Sequence, residues 1–271
     1  MWTGAGTRPA ARRTAYFSIW STFEASTSTA SIHRYGPATT VCFGTFLTTI
    51  LSIASTAARP IRSNGMPTVA GTSPHTLFDI QVNDYQIGAQ AALYLLSKIN
   101  YSGAILTVRF ENNVASRIRG KILDAVLSEN TAVKVLGNHT MARTATWRED
   151  VRNGMQALIL QNRGKFQGIW ASFDGQAYVI DDLLRAQGLK KGDVALVSID
   201  GGPESYRRIK DPDSLFTATV GIPFERIGRA AVEAMDKIVV KKVPKQTVVA
   251  GPYLWMEAVL VDASNVDQML K

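Results

Sequence analysis

Short apolar runs alternate with longer amphipathic segments along the chain from about residue 65 onward. The short runs predict strands at 67–70, 104–110, 132–137, 168–173, 194–199 and 215–220. The longer segments repeat apolar residues at helical spacing and predict helices, the clearest at 87–95, 118–126, 151–159 and 227–238. Gly188 is placed to end a further helix over 176–187, and Pro223 to begin the last long helix. Short strands separated by helices predict an α/β fold with parallel sheets covered by helices on both faces.

Residues 1–64 do not follow this alternation and form an atypical N-terminal segment. They are rich in Ser, Thr and Ala, show no clear helical period, and contain one strand-like run at 15–20. Within them, 39–60 contains an apolar stretch followed by small residues, as a secretory signal peptide does, but it lies too far from Met1 for a typical signal. A signal peptide is therefore not clearly present, and no run reaches the ~20 apolar residues that span a bilayer.

The composition is that of an ordinary globular protein. Of 271 residues, 46% are apolar and 19% are charged, which is enough for one large domain or two smaller ones. The formal net charge of +8 is concentrated in residues 1–75, where arginines face a single acid, Glu24, and the rest of the chain is nearly balanced. A balanced body argues against nucleic acid as a partner, because a nucleic-acid-binding fold carries its basic stripe on the folded part.

Cysteine and histidine usage predicts neither a metal site nor a cofactor. Cys42 is the only cysteine, which excludes an intramolecular disulfide and a thiolate cluster, and the histidines match no metal-binding spacing. The glycine run at 4–10 carries Pro9 in place of the third glycine of a dinucleotide-binding turn and follows no predicted strand. With no other catalytic motif in the sequence, we do not predict an enzyme.

Polar residues follow three of the predicted strands at the point where each ends. Asp200 follows 194–199, Asp174 follows 168–173, and an acid–amide run, 111–113, follows 104–110. Taken singly, such residues are typical helix caps and turn formers. Taken together they favour a polar ligand cleft, because the carboxyl ends of parallel strands share one edge of a sheet, where ligands bind.

Five segments occur in an order and spacing that is typical of one family. They are DYQIGAQAA (84–92), NNVASRIRGKILDAV (112–126), GIWASFDGQAYVIDDLLRAQGL (168–189), VALVSIDGGPESYRRI (194–209) and TATVGIPFERIGRAAVEAM (217–235). In this order they resemble the type I periplasmic sugar-binding proteins, the ribose-binding-like solute receptors of ABC importers. The resemblance extends from residue 65 to the end of the chain. The same fold occurs in the ligand-sensing half of lac-repressor-type transcription regulators, which is the alternative function.

The resemblance implies two doubly wound parallel-sheet lobes. Lobe one would comprise 65–83 and 223–252, and lobe two 84–222 and 253–271. The lobes are expected to close over a small sugar or polyol, which a monomeric receptor in the periplasm delivers to a membrane ABC permease. In the family, lobe one begins with βα units that residues 1–64 do not reproduce, so we expect it to be truncated or rearranged. These residues also lack the two helices of a DNA-binding helix-turn-helix, which disfavours the regulator.

The resemblance also assigns roles to four charged residues. Arg117 falls where the family places an arginine that holds sugar hydroxyls, and Asp200 where it places an aspartate that accepts from them. A guanidinium suits such a site because its rigid fork of donors satisfies two acceptors together. Arg119, two residues further along the same helix, is expected to face solvent. Asp84 falls at a lobe crossing, where it is expected to order the hinge.

Further residues complete the predicted ligand-binding set. Trp147 lies near the family's stacking aromatic, although packing in the core is the alternative for its ring. Phe173 and Ile222 replace an asparagine and a glutamine that contact ligand in ribose binders. These two departures make the pocket more apolar and favour a deoxy-sugar, a polyol or a less polar solute. Asn113 and Asp174, at the same strand ends, are the remaining predicted ligand contacts.

Overall fold

The computed structural model describes residues 77–142 and 145–270 and, earlier in the chain, the backbone of four strands. The strands are β1 (Ser18–Ile19), β2 (Thr39–Gly44), β3 (Thr48–Ile53), β4 (Ile61–Ser63), β5 (Phe78–Gln81), β6 (Gly103–Arg109), β7 (Val133–Thr140), β8 (Gly168–Ala171), β9 (Ala195–Asp200), β10 (Phe216–Gly221), β11 (Tyr253–Trp255) and β12 (Val259–Asp262). The helices are α1 (Asp84–Lys98), α2 (Val114–Glu129), α3 (Trp147–Gln161), α4 (Asp174–Ala186), α5 (Pro203–Lys210), α6 (Phe224–Met235), α7 (Lys245–Val248) and α8 (Val266–Met269). A π-helical turn, Asp236–Val240, continues α6. The predicted strand at 67–70 lies outside the described residues.

The chain divides into two compact units. One comprises Met1–Asp79 and Ala231–Tyr253, and the other Ile80–Ala230 and Leu254–Lys271. The lobe boundaries expected from the family resemblance stay a prediction.

The second unit is built on a sheet with the strand order β12-β10-β9-β8-β6-β7. All pairs among β6 to β10 are parallel, and β12 joins β10 antiparallel. Each parallel strand is joined to the next by a helix, as the alternation of apolar runs and amphipathic segments predicts. The α/β fold class is therefore confirmed. The strand order reverses beside β6, with β7 on one side and β8 to β10 on the other, so the switch point lies between β6 and β8.

The first sheet has the order β1-β2-β3-β4-β5-β11. Here β1 and β2 are parallel, but β2 pairs antiparallel with β3, and β3 with β4. These strands lie in residues 1–64, the segment expected not to reproduce the family's βα units. The antiparallel pairing follows from the connections between the strands, because a parallel pair requires a crossover of about a dozen residues or more. The connections at 45–47 and 54–60 are shorter than that.

The core of the second unit lies on both faces of its sheet. Every residue of β8 is buried, as are all of β9 except its first residue, which is typical of strands covered by helices on each side. Trp170 of β8 is fully buried in this core. Within the described residues, no helix combines the length and apolar character that crossing a membrane requires.

Two asparagine caps fix the starts of α1 and α2. Asn83 accepts hydrogen bonds from the backbone N–H groups of Tyr85 and Gln86 at the start of α1. Asn113 accepts one from Ser116 N–H at the start of α2, at 3.0 Å. Both helices consequently start directly beside the carboxyl ends of the strands.

Candidate functional site

Three charged side chains meet at the carboxyl edge of the second unit's sheet. Asp84 is the first residue of α1, Arg119 lies in the second turn of α2, and Asp200 is the last residue of β9. We call these three residues the ionic triad. Arg119 Nε donates to Asp84 Oδ1 at 3.0 Å, and Arg119 Nη1 donates to Asp200 Oδ1 at 3.0 Å. Arg119 Nη1 also donates to the Ser172 carbonyl, just beyond β8, at 3.1 Å.

The triad is buried. The side chains of Arg119 and Asp200 are each 1% exposed, and that of Asp84 is 3% exposed. The two helices that carry Asp84 and Arg119 pack closely, since a Cβ added at Gly88 of α1 would lie 3.1 Å from Arg119 Cα. Charged residues are almost never fully buried without partners, so a buried guanidinium between two carboxylates marks a specialised site.

The expectation that Arg119 faces solvent is wrong. The buried residues of α2 are Ser116, Arg119, Gly120 and Leu123, which recur at helical spacing and face the interior. The apolar stripe read from the sequence, at 118, 122, 125 and 126, is offset by one residue from this buried face. Arg117 is half-buried, and its Nη1 donates to the Glu111 carbonyl at 2.7 Å. The predicted contact of Arg117 with ligand stays a prediction, and Arg119 is the arginine that reaches Asp200.

The surroundings of Asp200 bring the pKa of its carboxyl group close to neutral pH. Burial raises the pKa of Asp200 to about 7, although the positive charge of Arg119 acts to lower it, and the negative charges of Asp174 and Asp84 add to the rise. For Arg119, burial alone acts to lower the pKa, but the charges of Asp84 and Asp200 outweigh it and raise the pKa above its ordinary value. Arg119 is therefore a permanent cation beside a carboxylate that titrates near neutrality.

One donor and one acceptor of the triad are unused. Asp200 Oδ2 and Arg119 Nη2 are both buried, and neither has a hydrogen-bond partner within the described part of the chain. Leaving a buried polar atom unpaired costs roughly 1–3 kcal/mol, more when it is charged. Such atoms call for an explanation, and a bound polar group is one.

The backbone at Asp200 has an unusual conformation. Its φ is +134°, and Gly201 and Gly202 follow with φ of +80° and +120°. A side chain at Gly201 would also collide, because an added Cβ would lie 2.6 Å from Gly221 Cα at the end of β10. Positive φ in a non-glycine residue is strained and is found mostly where function requires it. The two glycines therefore allow the chain to turn sharply directly after Asp200, at the end of β9.

Asp174 lies beside Asp200 and is held by hydrogen bonds within the protein. Its carboxylate is fully buried and accepts from the hydroxyls of Ser198, Ser205 and Thr219 and from the Gly201 N–H. Burial raises the pKa of Asp174, and these four hydrogen bonds act to lower it. The arrangement ties α4 to β9, β10 and α5 and fits the positioning of the Gly201 turn better than a ligand contact, which stays a prediction.

The predicted aromatic residues lie together at the switch point, and the predicted apolar residue Ile222 lies beside Asp200. Phe173, just after β8, is 1% exposed and packs against Phe110 and Trp147, with ring centroids 6.2 and 5.6 Å apart. Trp147 is half-buried, and the guanidinium of Arg148 lies over its ring. Ile222 is 4% exposed, and its N–H donates to the Asp200 carbonyl at 2.7 Å. An apolar wall therefore borders the triad.

The chain belongs to a family of binding proteins. Residues 54–242 match the family model described as periplasmic binding protein domain, which confirms the family resemblance inferred from the sequence. No curated protein matches the chain by sequence.

Solved structures share the fold at low sequence identity. An ABC transporter solute-binding protein from Agrobacterium vitis with bound allitol is 21% identical, with a TM-score of 0.62 over 73% of this chain and 66% of that one. The 5-methylthioribose transporter solute-binding protein of Thermotoga lettingae, in complex with 5-methylthioribose, is 19% identical, with a TM-score of 0.64 over 78% and 62%. A periplasmic solute-binding protein of Actinobacillus succinogenes with bound D-allose is 19% identical, with a TM-score of 0.63 over 77% and 70%. The chain therefore spans about two thirds of the length of these structures.

Proposed function

We propose that this chain is a solute receptor that binds a sugar or a related polyol at the ionic triad, without catalysing a reaction. The observation that carries the proposal is the unused pair of Asp200 Oδ2 and Arg119 Nη2, one acceptor and one donor buried at the same strand edge. A hydroxyl group both donates and accepts, so neighbouring hydroxyls of a polyol match this pair. Hydrogen bonds to charged partners are roughly twice as strong as neutral ones, which suits selective capture of an uncharged solute.

The apolar wall narrows the class of solute. Phe173 and Ile222 carry no side-chain amide, so this edge of the sheet offers hydroxyl groups fewer partners than a ribose binder does. A deoxy-sugar or a sugar with an apolar substituent would leave fewer of its own polar groups unpaired here. Of the ligands named for the three similar structures, allitol is a polyol and 5-methylthioribose carries an apolar substituent, whereas D-allose is a fully hydroxylated sugar.

We further propose that the receptor works outside the cytoplasmic membrane and delivers its solute to an ABC permease. The support for this step is the family membership and the description of the three similar structures as transport proteins. These structures give no support to the alternative of a transcription regulator.

A thermal-shift screen tests the proposal. Allitol, D-allose and 5-methylthioribose, with other monosaccharides and polyols, are added to the wild-type chain, to Asp200→Asn, and to Asp182→Asn as a control on the exposed face of α4. A solute at 100 times its Kd stabilises the folded state by about 2.7 kcal/mol. We expect at least one of these solutes to raise the Tm of the wild type and of Asp182→Asn but not of Asp200→Asn. No shift with any of them would contradict the proposed solute class, and an equal shift in all three chains would place the site elsewhere.

A further inference from the structure

The guanidinium of Arg119 makes one hydrogen bond, at 3.0 Å, to each of its two carboxylates. Asp84 holds it at Nε and Asp200 holds it at Nη1, so the contact with Asp200 is made through one nitrogen and one oxygen. An arginine and a carboxylate with no competitor commonly pair through two parallel hydrogen bonds. In this triad the second bond is not made, and Arg119 Nη2 and Asp200 Oδ2 are the two atoms left unpaired.

We propose that Asp84 is a positioning residue, which holds the Arg119 guanidinium away from a two-point pairing with Asp200 and so keeps one donor and one acceptor open for solute. The inference rests on the proposed function for what those two atoms bind, but the positioning itself does not depend on it. Asp84 can act in this way because it is the first residue of α1, where the Asn83 cap fixes the helix start. Its carboxylate reaches the guanidinium from α1, while Asp200 reaches it from the sheet.

The physical argument follows from the shape of the guanidinium. The group is planar and rigid, so hydrogen bonds at Nε and Nη1 fix both its plane and its rotation. Without the anchor at Nε, rotation toward Asp200 would bring Nη2 to Oδ2 and satisfy both unpaired atoms. The intact triad does not form that hydrogen bond, so Nη2 and Oδ2 stay available to a bound molecule.

A test has to separate two effects on the pKa of Asp200, namely the loss of the Asp84 charge and the movement of the Arg119 guanidinium. The groups that face it are Arg119 from α2, Asp84 from α1 and Asp174 from α4. Removing the charge of Asp84 lowers the pKa of Asp200 by electrostatics alone, whether or not the guanidinium moves. Asp84→Asn removes that charge and keeps an oxygen that accepts from Arg119 Nε. Asp84→Ala removes the charge and the anchor together, so the difference between the two variants reports the release of the guanidinium.

The experiment is a titration of the Asp200 carboxyl group by carbon-13 NMR, without solute, in the wild type, Asp84→Asn and Asp84→Ala. Asp200→Asn assigns the resonance. We expect the midpoint to lie near 7 in the wild type, to be lower in Asp84→Asn, and to be lower again by about one pH unit or more in Asp84→Ala, because two-point pairing strengthens the contact with Arg119. Equal midpoints in the two variants, or a rise in Asp84→Ala, would overturn the proposal. Failure of both variants to fold would assign Asp84 to stability instead and would also overturn it.

Affinity measurements distinguish a failure of this inference from a failure of the proposed function. With a solute identified by thermal shift, we expect Asp84→Ala to bind at least tenfold more weakly than Asp84→Asn, although its Asp200 is more fully ionised. Unchanged affinity in Asp84→Ala, together with the larger fall of the midpoint, would contradict the solute contact and leave the positioning role intact. If no solute binds, the proposed function fails, and the titration still decides the role of Asp84.

Discussion

Burial of Asp200 and Arg119 carries a cost in free energy that the rest of the fold has to offset. Desolvating two charges costs several kcal/mol each, and a buried ion pair is often no more stabilising than apolar residues of the same volume. The triad also leaves two of its polar atoms unpaired. A cluster that lowers stability in this way is explained more readily by binding than by folding.

The free-energy cost of burying Asp200 can be measured from the pH dependence of stability. Its pKa of about 7 in the folded chain lies above the ordinary value of ~3.9 that it takes when unfolded. Between these two values the folded state binds a proton that the unfolded state has released, so wild-type stability falls as pH rises through this range. Asn at position 200 does not titrate. We therefore expect the free energy of unfolding of Asp200→Asn, relative to that of the wild type, to rise by roughly 2–3 kcal/mol from pH 5 to pH 7. Urea unfolding at both pH values measures the gap, and a gap that is constant with pH would contradict the poised carboxylate.

The sequence located this edge of the sheet but placed Arg119 on the wrong face of its helix. Asp200 could be predicted because it follows a buried strand and precedes two glycines, and that pattern depends only on local residues. The position of Arg119 depends on which face of α2 packs inward, and the buried face is defined by Ser116, Gly120 and Leu123. The apolar residues one position earlier, Ile118 and Ile122, suggested a different face. The small residues at helical spacing on either side of Arg119 were the available signal.

Strands β6 to β10 and helices α1 to α4 and α6 were predicted within a few residues of their ends, because periodicity and capping are local properties. Elements α5, α7, α8, β11 and β12 were not predicted. The first unit was predicted less well, because strand pairing there is set by connection length rather than by apolar pattern. Asp174 shows the same limit at the element scale. Its sequence position at a strand end is that of a ligand residue, yet its four donors come from β9, β10, α5 and the Gly201 turn.

The Gly201 turn can be tested against another glycine of the same conformation. Gly201 and Gly188 have φ of +80° and +81°. A Cβ added at Gly201 would collide with the backbone of Gly221, whereas a Cβ added at Gly188 would have no atom within 4 Å. Each alanine substitution costs roughly 1–2 kcal/mol for the left-handed conformation. We expect Gly201→Ala to lower the free energy of unfolding by more than Gly188→Ala, with the excess due to the collision with Gly221. Equal losses in denaturant unfolding would show that the ends of β9 and β10 are not held as closely as the structure has them.

At the scale of the whole molecule, family membership and the α/β fold are established, and the proposed function depends on which solute the chain binds. The three similar structures are named for different solutes, so the shared fold does not determine the ligand. Under the proposed function, specificity comes from side chains at the strand edge, which are those of the triad and of the apolar residues beside it, Phe173 and Ile222.

The most direct measurement is the affinity for the solute found by thermal shift, by isothermal titration calorimetry at pH 8, for the wild type, Asp200→Ala and the surface control Asp182→Ala. Truncating one partner of a buried charged pair typically costs about 2–4 kcal/mol of binding free energy, or roughly 30- to 1000-fold in Kd. We expect that loss in Asp200→Ala and wild-type affinity in Asp182→Ala. Wild-type affinity in a folded Asp200→Ala would show that the solute binds elsewhere and would contradict the account.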